Sequence, residues 1–313
     1  MPKVIVTGAT SYLAIALIKR LLAEKYYVYA VIRPKSANSS KLPKNTHLFI
    51  LELDMNNYFS LSAMELGKID AIYHFAWDGV RGSDRTITSL QMSNIEATKQ
   101  LLDVAHQKHI SYFIGMGSQA EYGLTAKQLV TEEMPLNPLD AYGIAKKQIY
   151  DLGMKAAEQY GFTFVWARIF SAYGYGESPN TLIMSSFRKM LKDEEIKLSP
   201  CEHLWDYLYL DDLANALHLL YKAQCPTGAY NVSYGCPRPL KDYVEEMKEV
   251  LHSNSRLEFG AIPYGQNVVQ MNPSITKIRS AASWTPKINF VTGIQLLYED
   301  MKNEKNQYTS TNI

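Results

Sequence analysis

The stretch Lys3–Ala14, KVIVTGATSYLA, decides the fold. KVIVT is a short β-branched run, and Gly8 ends it. Ala14, Leu17, Ile18 and Leu21 then recur at i, i+3, i+4 and i+7, the buried stripe of an amphipathic helix. A second apolar run, YYVYAVIR at 26–33, completes a strand–helix–strand unit. The alternation continues outward through LFILEL (48–53), AIYHFA (71–76), a helix from Asn94 to Gln107, YFIGMG (112–117), a helix from Ala141 to Tyr160, and TFVWARIF (163–170). Strands and helices alternating in this way predict an α/β fold, a Rossmann doubly wound parallel sheet with helices on both faces.

After Phe170 the pattern loosens. Gly, Pro and Ser cluster through 173–205, then LYLDDLANALHLLYKA (208–223), GAYNVS (228–233) and a helix over 240–251 follow. The reading is a dinucleotide-binding domain over 1–170 that also receives 206–233, with 171–313 forming mainly a smaller, irregular α/β substrate lobe. The final NEKNQYTSTNI is polar and expected to fray.

Composition narrows the function. The 313 residues are 47% hydrophobic and 20% charged with a formal net charge of +1, so no field draws the chain to nucleic acid or an anionic membrane. No run of 18 apolar residues and no signal-peptide pattern occurs, so a cytoplasmic protein is expected. Cys201, Cys225 and Cys236 lack CxxC spacing and the seven histidines form no HxxxH or HExxH pattern, so neither disulfides nor a metal are expected.

The turn TGATSYLA is a variant of the glycine-rich phosphate fingerprint, with Gly8 at its first position, Ser11 at its second and Ala14 at its third. Gly8, Thr10, Ser11, Tyr12 and Leu13 would hold the pyrophosphate at a helix N-terminus, with the Ser11 hydroxyl donating to a phosphate oxygen. Where NAD-preferring folds end the second strand in a carboxylate, this one ends in Arg33. A guanidinium with no carboxylate nearby suits a 2′-phosphate, so NADPH is expected. NAD stays the alternative, because Arg33 can stack on adenine with either cofactor. Asp54 and Met55 would reach the adenine edge, Phe75, Ala76 and Trp77 the pyrophosphate and ribose, and Ile169 the end of the sixth strand.

Within DAYGIAKKQIY, Tyr142 and Lys146 are four apart and share a helix face. A phenol is a weak acid at neutral pH, and an ammonium one turn away favours its ionised form. Upstream, GMGSQAEYG (115–123) places Ser118 after a glycine-rich strand end, whose flexibility would bring the hydroxyl toward the reacting carbon.

With TGATSYLA, HFAW, NIEATKQLL, GSQAEYG, YGIAK, RIFSAYG, WDYLYLDDLANAL, YNVSYG and KIRSAASWTPK, nearly the whole chain resembles the extended short-chain dehydrogenase/reductase family, in particular its nucleotide-sugar-modifying members. The resemblance implies that Ser118 bonds the substrate oxygen, Tyr142 exchanges its proton, and Lys146 holds the nicotinamide ribose. It implies that Asn94 supports the cofactor and lysine, and that the chain forms a homodimer through the helices carrying Asn94 and Tyr142. Sugar-nucleotide dehydratases carry Asp and Glu after the catalytic hydroxyl. Here Gln119 and Ala120 stand there, and Glu121 on an extended segment would face the other way, so dehydration is not expected. Reduction of an NDP-4-keto-6-deoxyhexose is the expected reaction. The alternatives are an NDP-hexose 4-epimerase with retained NAD, a reductase of non-sugar ketones, and a cofactor-binding protein that has lost catalysis. Substrate contacts are expected from Gln119, Ser171, Asn180, Thr181, Trp205, which replaces the family's phosphate-binding arginine, and Arg279.

Overall fold

The computed structural model describes residues 1–265 and 267–310. Its first half runs β1 (Lys3–Thr7), α1 (Tyr12–Ala23), β2 (Tyr27–Ile32), β3 (Leu48–Glu52), β4 (Ala71–His74), α2 (Thr88–Gln107), β5 (Tyr112–Ser118), α3 (Ala141–Tyr160) and β6 (Thr163–Ile169). The second half adds β7 (Ser171–Tyr173), α4 (Leu182–Met190), β8 (Ile196–Leu198), β9 (Leu204–Trp205), β10 (Tyr207–Tyr209), α5 (Leu210–Lys222) and β11 (Gly228–Val232). It closes with β12 (Arg238–Pro239), α6 (Leu240–Val250), β13 (Leu257–Phe259), α7 (Thr276–Ala282) and α8 (Phe290–Ser310). α2 begins six residues before the expected Asn94, and α8 carries the polar tail in helix to Ser310; residues 311–313 of that tail lie outside the described residues.

Seven parallel strands form the central sheet in the order β11-β6-β5-β4-β1-β2-β3. Strand order reverses between β1 and β4, and such a switch point opens a crevice at the carboxyl ends of the strands. One face of the sheet buries Leu17 and Leu21 of α1, Leu213 and Leu217 of α5, and Ile278 of α7. The other buries Leu101 and Val104 of α2 with Ala145 and Ile149 of α3. A third cluster joins Phe187, Tyr207, Tyr243 and Phe290 beside the sheet, among elements that follow β6.

The glycine-rich end of β5 is not a flexible exit. Gly115 and Gly117 lie in register opposite Trp166 and Arg168 of β6. A Cβ added at them would fall 2.4 and 2.5 Å from the Trp166 indole, so the missing side chains make room for that ring.

A buried histidine links β1, β4 and α2. His74 Nδ1 lies 2.7 Å from Thr7 Oγ1 and its Nε2 lies 2.9 Å from Thr98 Oγ1. Burial lowers its pKa to about 3, with Lys146 adding to the effect. Because the folded pKa lies below that of the unfolded chain, this histidine's contribution is intact above about pH 6.5 and declines as the pH falls. At pH 5 the loss amounts to roughly 2 kcal/mol. Urea titrations at the two pH values should show it, and His74→Asn should flatten the difference.

Candidate active site

Gly8 turns the chain from β1 into α1 with φ +62°, and a Cβ there would approach Ala76 N to 2.6 Å. The backbones after β1 and β4 are therefore in contact, and only glycine allows both the angle and the approach. Ser11 caps α1, its Oγ accepting from Ala14 N at 3.3 Å, while its proton stays free to donate. A cleft of about 200 Å³ opens at this turn. Of the expected cofactor residues, Gly8, Thr10, Ser11, Arg33, Met55, Phe75, Ala76 and Trp77 line it. Asn38, Tyr58 and Asp78 line it as well, unanticipated from the sequence. The glycine cradle, the helix N-terminus and the free serine proton fit a dinucleotide pyrophosphate.

One expectation for this cleft needs correction. A carboxylate does stand near Arg33: Asp78 Oδ1 lies 3.5 Å from its Nη1, brought there by the loop after β4. Asp54 is exposed and caps the following 3-10 turn, accepting from Asn56 N at 2.9 Å. Asn94 is buried with its amide committed to the loop. It accepts from Asp78 N and donates to Asp78 O, both at 2.8 Å, and so shapes the cleft wall from behind. Tyr12 reaches past the cleft, its hydroxyl donating to Ala172 O at 3.2 Å, while Leu13 packs beside α5.

The expected catalytic side chains meet at the end of β5. The Ser118 hydroxyl lies near enough to the Tyr142 phenol to favour its ionised form, and its Oγ accepts from Ala120 N at 3.2 Å. Ile169 lies opposite Ser118 in the β5–β6 register. Asp140 starts α3 by accepting from Gly143 N at 2.8 Å, which sets Tyr142 and Lys146 one turn apart. Lys146 Nζ donates to Met116 O at 2.8 Å and sits 3.3 Å from the centre of the Trp77 ring. Trp77 is thus shared by the nucleotide cleft and Lys146. Its Nε1 donates to Gln91 Oε1 at 2.9 Å, which fixes the ring.

Burial raises the Tyr142 pKa above its ordinary value; the Ser118 hydroxyl and the Arg85 guanidinium pull it back, and Glu121 and Asp140 add to the rise. Burial lowers Lys146 to about 7, with the Glu121 carboxylate opposing. A buried phenol and a buried amine with such values can pass a proton to a bound oxygen and take it back.

Glu121 is not on an extended segment. Residues Gln119–Glu121 form a 3-10 turn closed by a capping box with Ser118. The Glu121 carboxylate is fully buried beneath the site, accepting from Ser118 N (2.8 Å), Trp166 Nε1 (2.9 Å) and Arg168 Nε (2.8 Å). It anchors the serine turn to β6 and faces away from solvent.

Of the expected substrate residues, Ser171 and Trp205 are brought together, Trp205 Nε1 donating to Ser171 Oγ at 3.0 Å. Gln119 is half-buried beside Ser118. Thr181 is committed to capping α4, accepting from Met184 N at 3.4 Å, and Asn180 is exposed just before it. Arg279 is exposed on α7, whose buried side packs with α5 and β11, on the sheet face opposite α3.

The model of the NAD dependent epimerase/dehydratase family matches residues 4–233, from β1 through β11. The chain belongs to this family. Among curated relatives, CDP-abequose synthase of Salmonella muenchen is 23% identical over 302 residues, covering 94% of this chain and 96% of that protein. UDP-glucose 4-epimerase of Lactobacillus helveticus is 23% identical, covering 91% and 92%. Among solved structures, a UDP-glucose 4-epimerase of Thermotoga maritima with UDP-glucose superposes with TM-score 0.87 at 20% identity, covering 96% of this chain and 99% of that one. A dTDP-glucose 4,6-dehydratase of Bacillus anthracis in complex with NAD gives 0.84 at 18% identity, covering 97% and 98%. The fold is that of these epimerase and dehydratase structures, consistent with membership of the NAD dependent epimerase/dehydratase family.

Proposed function

We propose that this enzyme reduces an NDP-4-keto-6-deoxyhexose with NADPH. The observation that carries the reading is the meeting of Ser118, Tyr142 and Lys146 beside the Trp77 wall of the nucleotide cleft. The hydride would come from a reduced nicotinamide held in this cleft. Ser118 donates to the C4 carbonyl oxygen, Tyr142 gives that oxygen its proton, and Lys146 orients the nicotinamide ribose and restores charge balance at the phenol. Gln119 and Ala120 hold no titratable proton where dehydratases need an acid and a base, which disfavours elimination of water.

Arg33 supports NADPH. Its partner Asp78 is 3.5 Å away and the pair is exposed, so the contact contributes about 0–1 kcal/mol and yields readily to a 2′-phosphate. The CDP-abequose synthase relatives support a reductase. The epimerase relatives support the second reading, a 4-epimerase that retains NAD.

Mass analysis of small molecules released from the purified protein separates the two. A reductase should arrive largely empty and consume NADPH in proportion to added ketone. Stoichiometric bound NAD together with interconversion of UDP-hexoses would replace the proposal by the epimerase.

A further inference from the structure

Arg85, in the 3-10 turn Gly82–Thr86 ahead of α2, has no counterpart in the constellation derived above. Its guanidinium carbon lies 4.4 Å from the centre of the Tyr142 ring, on the ring face. Its Nε donates to Asp140 Oδ2 at 2.7 Å, while Asp140 Oδ1 caps α3. One carboxylate therefore fixes both the helix that carries the phenol and the cation that covers it. The other cation near the ring is less well charged. Lys146 sits 5.6 Å from the same ring, is sunk under Trp77, and has a pKa brought down to about 7 by burial. Near neutral pH the ammonium is part neutral, whereas a guanidinium keeps its charge throughout.

We propose that Arg85 is a positioning residue that sets the acidity of Tyr142 by holding a permanent positive charge over its ring, an inference that rests on the ketoreductase reading only for its kinetic consequence. The charged groups acting on the phenol are Arg85 from the 3-10 turn, Glu121 from below, Asp140 at the helix start and Lys146 one turn on. Only Arg85 and Lys146 among these favour the phenolate. Removing Arg85 leaves two carboxylates and a partly neutral amine, so the phenol becomes a weaker acid.

The kinetic signature has a definite sign. In reduction Tyr142 must be protonated, so kcat falls at high pH as the phenol ionises. Arg85→Gln should shift that alkaline limb upward by about one pH unit, the discounted effect of an opposite charge at a half-exposed position. The plateau below it should drop by about 3- to 10-fold, since a weaker acid transfers its proton more slowly. Damage to the fold would lower the plateau without extending activity to higher pH.

The test is tyrosinate absorbance against pH for the wild-type protein and for R85Q, each referenced to its Tyr142→Phe counterpart to cancel the other tyrosines, alongside kcat–pH profiles. The upward shift should appear in both measurements, and Arg85→Lys, which keeps the charge, should return most of it. An unshifted Tyr142 titration in R85Q, or loss of activity in R85K equal to that in R85Q, would overturn the proposal. If the wild-type enzyme fails to reduce the ketone at all, the reaction assignment falls while the titration still decides the role of Arg85.

Discussion

Replacing Tyr142 by Phe should lower kcat for ketone reduction by about 10³-fold while leaving nucleotide affinity within a factor of about two. The size follows from what the substitution removes. The phenyl ring keeps its edge-on contact with Trp77, at 6.0 Å between centroids, and its place under Arg85. Only the hydroxyl disappears, and with it the proton that meets the oxygen as hydride arrives. The loss corresponds to roughly 4 kcal/mol of transition-state stabilisation. Water can partly replace a proton donor in an open site, but Tyr142 is buried, which keeps the effect above the low end of the usual range of about 10²- to 10⁴-fold. Steady-state kinetics at saturating ketone and NADPH measure it. A variant retaining more than a tenth of wild-type kcat would mean that another group donates the proton.

The second large effect is on stability. Glu121→Ala should destabilise the protein by about 3–5 kcal/mol, because it strands a buried arginine. The Arg168 side chain is 1% exposed; without Glu121 it keeps the Tyr122 hydroxyl at 3.0 Å and the Glu132 carbonyl at 3.3 Å, but no counter-charge in contact. Trp166 Nε1 and Ser118 N would lose their acceptor in the same step. The midpoint of thermal unfolding should fall by about five to eight degrees. Glu121→Gln keeps an acceptor but not the charge and should fall between the two. Urea unfolding of the three proteins checks the order. A loss below about 1 kcal/mol in the alanine variant would show that solvent reaches Arg168.

The frame was legible because its signals are local. Each central strand is a run of four to seven mostly apolar residues, and α1 carries its stripe at helical spacing. The nucleotide turn was legible for the same reason, since Gly8, Ser11 and the start of α1 are neighbours in the chain. Asp78 beside Arg33, Arg85 on Asp140 and Arg168 under Glu121 were not. Their partners lie 45, 55 and 47 residues away, and nothing local in an aspartate or arginine tells which distant loop it will meet. The placement of Arg279 was hidden for that reason too: α7 reads as part of the second lobe but docks beside α5 and β11. Glu121 is different, because the Ser118-x-x-Glu121 spacing is itself a capping-box signature and could have shown the 3-10 turn. The glycines of β5 look like a hinge in the sequence; only the Trp166 ring opposite them explains why no side chain fits.

The most direct test follows the hydride. NADPH deuterated at the transferable nicotinamide carbon, incubated with the NDP-4-keto-6-deoxyhexose and the wild-type enzyme, should yield a sugar carrying one deuterium at C4 for each NADP released. An unlabelled product, or a label that stays on a cofactor the protein never releases, would contradict single delivery of hydride past Ser118, Tyr142 and Lys146.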